Sequence, residues 1–144
     1  MATRSTIALE YADGTVDQIY CHWDGYLSHN GEILQKHWQD PFKVKQLMDL
    51  GDMSSLGKST GEQHDFDDRS DDCTFYGRDR GEEGTEASRF QDFEDYKKNH
   101  QYEEFEYILR TDGLWYVSQY GRPYELLADA LAREAIEALV AEDE

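Results

Sequence analysis

The sequence has 144 residues, and 32 acidic against 14 basic side chains give it a formal net charge of −18. That length fits one domain burying roughly two thirds of its unfolded surface, and it excludes a second full domain. The charge disfavours direct binding to nucleic acid or anionic lipid and makes a basic macromolecule the expected partner.

Residues 6–11 and 16–22 read as two strands joined by Ala12-Asp13-Gly14-Thr15, because Asp-Gly supplies the positive φ of a tight hairpin turn. In the second strand Val16, Gln18, Tyr20 and His22 share one face while Asp17, Ile19, Cys21 and Trp23 share the other. Neither face is purely polar, which predicts a strand interior to the sheet. Ser28-His29-Asn30-Gly31 offers a cap for a helix over residues 32–38. A second helix is predicted over 41–50, with Pro41 in its first turn, Val44, Leu47 and Met48 at helical spacing, and a stop at Gly51.

Periodicity vanishes over residues 53–86, a stretch rich in Ser, Gly and Asp in which Cys73-Thr74-Phe75-Tyr76 reads as a short strand or buried anchor. Phe90, Phe93 and Tyr96 then predict a helix over 86–98 with an acidic outer face. Residues 104–110 and 114–120 form the clearest hairpin, around Thr111-Asp112-Gly113. A last helix over 124–140 carries the stripe Leu127, Leu131, Ala135 and Leu139. The expected fold class is α+β: an antiparallel sheet built from two β-hairpins with helices packed on it, one domain over 1–144, with a long acidic central loop.

No apolar run approaches the roughly 20 residues that cross a bilayer, and Met1 to Ser5 carries no secretion pattern, so a cytoplasmic protein is expected. Cys21 and Cys73 lie in unlike contexts and predict no disulfide framework. The charge is unevenly placed: residues 1–61 carry 8 acids and 5 bases, residues 62–144 carry 24 and 9.

Motifs for chemistry are weak. Asp65, Asp67, Asp68, Asp71 and Asp72 offer oxygen ligands to a hard cation, but the glycine and glutamate that an EF-hand loop requires are missing. Cys21 and His22 are neighbours on a strand, so they point to opposite faces and do not make an activated nucleophile. Two cysteines and five scattered histidines give no zinc spacing, and no phosphate loop or dinucleotide fingerprint is present. Neither an enzyme nor a cofactor is expected. Arg78 and Arg80, flanked by Tyr76 and glycines, are the best hint of an anion site, since guanidinium forks suit phosphate and carboxylate. Neutralising nearby acids is their plainer role.

Several segments together resemble small acidic proteins encoded by tailed bacteriophages and prophages, a group without assigned activity. They are Ala2 to Glu10, Asp13-Gly14, Ile19-Tyr20-Cys21-His22-Trp23-Asp24-Gly25-Tyr26, Thr74 to Glu82, and Tyr107 to Gly113. The likeness covers most of the chain and implies provenance rather than mechanism.

Three functions are expected from this reading, in order. The first is an accessory interaction protein that inhibits a host nucleic-acid-binding defence protein, of restriction or CRISPR type. It would do so through a DNA-mimic-like face formed by Asp65, Asp67, Asp68, Asp71, Asp72, Asp92, Glu94, Asp95, Glu103, Glu104 and Glu106. The second is a small-ligand or sequestering site, or small enzyme, where Tyr76, Arg78 and Arg80 meet His22 and Asp24. The third is a structural or regulatory phage protein whose charge serves solubility.

Overall fold

The computed structural model describes residues 2–68 and 71–142. The chain opens with β1 (Ser5–Glu10) and β2 (Val16–Cys21), then passes through a π-type turn (Leu27–Gly31) into α1 (Glu32–His37) and α2 (Pro41–Leu50). There follow β3 (Met53–Ser55), β4 (Thr74–Phe75), α3 (Tyr76–Arg80), β5 (Ser88–Phe90) and α4 (Phe93–Asn99). The chain ends with β6 (Phe105–Leu109), β7 (Trp115–Gln119), β8 (Glu125–Leu126) and α5 (Leu127–Glu142).

Both predicted hairpins form, and by the same device. Asp13 and Asp112 each accept a backbone N–H two residues on, from Thr15 and Leu114, and the following Gly14 and Gly113 take φ of +92° and +79°. A three-residue loop with glycine in the left-handed region matches the twist of the strands it joins.

The sheet is α+β as expected, but mixed rather than antiparallel. Its order is β4-β3-β2-β1-β6-β7-β8, with β5 also on β2. The two hairpins meet where β1 pairs parallel with β6, Ser5 against Phe105 through Leu9 against Leu109. The chain also returns parallel from β2 to β3, at Cys21 against Met53. A parallel return needs a crossover, and α1 and α2 supply it. β1 occupies one side of β2, while β3 and β5 divide the other, which makes β2 the interior strand that its two mixed faces predict.

The main core lies on the sheet face that carries Ile7, Leu9, Ile19, Cys21, Tyr107, Leu109 and Val117, under α1, α2 and the start of α5. Trp38 ties this side together, donating its indole N–H to the Gly57 carbonyl and accepting from Trp115, both at 2.9 Å. On the opposite face Ala8, Val16 and Ile108 pack beneath Tyr96 of α4.

Three predicted elements change. The helix over 86–98 is two elements: Ser88–Phe90 pairs with β2, and α4 starts only at Phe93, where Asp92 caps it by accepting from the Asp95 N–H. The central stretch over 53–86 is interrupted by β3, β4 and α3, of which β4, with Cys73 and Phe75 fully buried beside and within it, is the short strand or buried anchor expected there. In α5 Leu127 and Ala130 are buried and Leu131 is packed partly against the core, while Ile136, Leu139 and Val140 stand exposed. Among the described residues no helix is long and apolar enough to cross a membrane.

Candidate binding cleft

The string Cys21 to Tyr26 leaves the sheet at the far end of β2 from the Asp-Gly turns. Asp24 holds a left-handed backbone, φ +58°, which short polar side chains tolerate better than most. Gly25 follows because a Cβ there would lie 2.7 Å from Ser5 Cβ and 2.9 Å from the Thr3 carbonyl oxygen. Asn30, fully buried, fixes the bend: its amide points at Ser5 Oγ, the Trp23 carbonyl and Cys21 Sγ at 3.3 to 3.5 Å. Its Oδ1 accepts from His29 Nδ1 at 2.9 Å, which turns His29 Nε2 towards Asp24, 4.0 Å away.

The bend leaves Trp23 45% exposed at the mouth of a cavity of about 830 Å³. Asp24, Asp67, Asp68 and Asp71 line this cavity, together with Lys58, His29 and the second large aromatic, Phe66. Carboxylates around an aromatic ring are the surroundings in which a guanidinium or ammonium is held by charge and by the ring face together.

The loop that presents these carboxylates is built on Arg78 and Asp79. Arg78 spends all five N–H groups within the protein: on the carbonyls of Thr60, Gly61 and Cys73 and on both oxygens of Asp79. Asp79, its side chain fully buried, also accepts from the N–H groups of His64 and Phe75. Burial works to raise the Asp79 pKa, but these hydrogen bonds outweigh it and hold the carboxyl below its ordinary value. Arg80 is paired with Glu82 and lies over the rings of Phe66 and Tyr76.

The anion site expected at Tyr76, Arg78 and Arg80 is therefore not assembled. Arg78 has no remaining donor, and of the five residues proposed for that site only Asp24 lines the cavity. His22 is held by the Tyr20 hydroxyl at 2.7 Å, and burial together with Arg4 lowers its pKa. Arginine here is scaffold.

The eleven carboxylates expected on one face divide. Asp65, Asp67, Asp68, Asp71 and Asp72 belong to the loop joined to the main core through Leu56 and Cys73, beside α1. Asp92, Glu94 and Asp95 begin α4 on the opposite face, where Arg110 lies 3.7 Å from the Phe93 ring centroid and so marks the Asp-Gly end of the sheet. The two groups are thus on opposite faces and at opposite ends. Several have local work: Asp92 and Asp95 accept the N–H groups of Asp95 and Gln91, Asp65 accepts that of Asp67, and Asp72 accepts from Ser59 Oγ. Glu103 and Glu104, half-buried, precede β6.

Glu106 is not on the surface at all. It is 2% exposed, pairs with Thr6 across the parallel join, and meets His100 Nε2 beneath α4. His100 Nδ1 donates to the Tyr96 carbonyl at 2.6 Å, so the Nε2 contact with Glu106 needs a second proton. Burial disfavours the imidazolium, yet the hydrogen bond and charge of Glu106 outweigh it and lift the His100 pKa.

Both thiols are buried, and burial pushes each up to about 12, far from nucleophile range. Among the described residues no group of three His, Cys, Asp or Glu is placed to hold a metal ion. Sequence reasoning missed Asn30, Lys58 and Asp79 as the parts that shape the cleft; the signal present was Asp24-Gly25, a turn pair directly after a strand. Comparison with family profiles, with curated proteins and with solved structures finds no match to this chain.

Proposed function

We propose that this chain is a non-catalytic interaction protein that binds a basic, nucleic-acid-binding partner through the acidic cleft at the end of β2. The observation that carries the reading is the cavity of about 830 Å³ bounded by Asp24, Asp67, Asp68 and Asp71 beside exposed Trp23. Such a cleft suits an arginine or lysine side chain that would otherwise contact a phosphate. The net charge of −18 adds long-range attraction and speeds encounter with a basic surface.

This narrows the DNA-mimic expectation. The mimicry proposed is local, one cleft taking the place of a few phosphates, because the remaining carboxylates are spread over both faces. The likeness to phage proteins makes a nucleic-acid-binding defence protein of a bacterial host the partner class to test first, with occupation of its DNA or RNA groove as the mode of inhibition.

The test uses a fluorescent arginine-rich peptide as the probe, titrated with the protein at about 50 mM and about 300 mM salt. Binding that weakens at least about tenfold over that range, with no binding to a DNA duplex of equal length, supports the proposal. Equal affinity at both salts, or binding to the duplex, overturns it.

A further inference from the structure

We infer that the C-terminal end of α4 is a pH-operated latch: it is closed over the sheet while His100 is doubly protonated, and loss of that proton lets residues 96–101 lift away from β6. α4 has seven residues, too few to hold a helix without packing, and Tyr96 is its buried side chain. At its start Phe93 is seated under the Arg110 guanidinium and against the Tyr124 ring. Its end has a polar seat instead, because the strand register sets Thr6, Glu106 and Ser118 side by side there, all buried. The ties at this end are polar too: His100 meets Glu106, and the Gln18 amide exchanges two hydrogen bonds with the Gln101 backbone, both at 3.2 Å.

A neutral imidazole has one N–H, and His100 stands between two acceptors, the Tyr96 carbonyl and the Glu106 carboxylate. Either tautomer therefore turns a lone pair against an oxygen. With Nδ1 protonated, Nε2 faces a buried carboxylate; with Nε2 protonated, Nδ1 faces a carbonyl oxygen 2.6 Å away. Opening relieves both arrangements, since water then reaches the carboxylate and both ring nitrogens.

The neighbouring groups do not replace the lost charge. Glu103, half-buried ahead of β6, is a second acid; burial raises its pKa, and Glu104 and Glu106 add to this against the pull of Arg4. Tyr96 on α4, Tyr124 ahead of β8, and Tyr20 opposite Thr6 on β2 are all pushed up by burial and keep their protons. Lys97 is exposed and paired with Glu94. His100 is thus the group here whose charge changes near neutral pH. Its pKa is raised in the closed form, so the charged pair favours closure fully below about pH 6.5 and loses its effect as pH rises through the folded value. Each opening releases up to one proton in that window, which makes opening up to about tenfold more frequent per pH unit.

The test is amide hydrogen exchange of the full chain, read by mass spectrometry at about pH 6.5 and about pH 8.5 and corrected for the intrinsic effect of pH on exchange. The expected result is protection of residues 96–101 that falls at least about fivefold between the two pH values and stays at least about tenfold below that of β6. The fall is expected to disappear in His100→Gln and in Glu106→Gln, each of which removes one charge of the pair. In the wild type, which needs no variant to fold, protection of 96–101 that does not change with pH overturns the proposal. So does protection equal to that of β6, which would mean that the contact breaks only when the whole protein unfolds. A fall that persists in either variant overturns it too, because another group would then carry the proton.

Discussion

His100 shows how a single side chain records its surroundings. Its Nδ1 proton is committed to the Tyr96 carbonyl, and its Nε2 faces a carboxylate with 2% exposure, so the charged form is stabilised by folding. A histidine whose folded pKa is raised contributes stability that is fully present below about pH 6.5 and is lost as pH rises through the folded value. Urea midpoints are therefore expected to fall between about pH 6 and about pH 9, and that component is expected to vanish in His100→Leu. At about pH 6 the variant is also expected to lose about 2–3 kcal/mol, because Glu106 is left buried without its partner. An identical pH dependence in both proteins would contradict this assignment. For the cysteines the expectation is inertness: with Cys21 and Cys73 both buried and both near 12, a thiol reagent should label neither until the protein unfolds. Stoichiometric labelling of the native protein would show that the core opens around them.

Among the elements, the central loop depends most on one residue. Asp79 joins residues 60–64 to β4 and α3 by collecting four N–H groups and neutralising Arg78. Asp79→Ala leaves those donors unpaired and is expected to cost about 2–3 kcal/mol, less than a fully enclosed pair because Arg78 keeps 13% exposure. Since the Asp79 pKa is depressed, its contribution is present above the ordinary carboxylate value of about 3.9 and is lost as pH falls through the folded one. Limited proteolysis of the variant should cut first within residues 56–72; protection equal to wild type would count against the clamp.

What the sequence conveyed about these elements follows from the range of the forces involved. Both hairpins and α2 were legible, because Asp-Gly turns and the Pro41 start with the Gly51 stop are local choices of backbone angle. The parallel join of β1 to β6 was not, since Ser5 and Phe105 meet across a hundred residues and no local pattern encodes that pairing. Glu106 was misplaced for a related reason. Glu104-Phe105-Glu106-Tyr107 alternates like a strand with one wet face, but α4 covers that face and Glu106 goes inside with His100 as its partner. Residues 86–98 misled because Phe90, Phe93 and Tyr96 keep helical spacing while Asp92 between them is a cap. In the cleft, Asp24 was legible and Arg78 was recognised, but its donors are used within the loop, and only the folded carbonyl positions of Thr60, Gly61 and Cys73 reveal this.

For the whole molecule, carboxylates stand on both faces of the sheet, and a contact at the acidic cleft should weaken with salt. A net-charge effect without a site would also weaken with salt, so salt alone does not discriminate a cleft from a uniformly acidic body.

The discriminating measurement compares two triple variants with the same charge change, using the arginine-rich peptide at low salt. One is Asp67→Asn/Asp68→Asn/Asp71→Asn in the cleft, and the other is Glu83→Gln/Glu94→Gln/Glu137→Gln, exposed and dispersed. The cleft variant is expected to bind at least about tenfold more weakly than the dispersed one, a difference of about 1.4 kcal/mol. Equal weakening in both would mean that the protein attracts basic molecules by net charge alone and that the cleft is not a binding site.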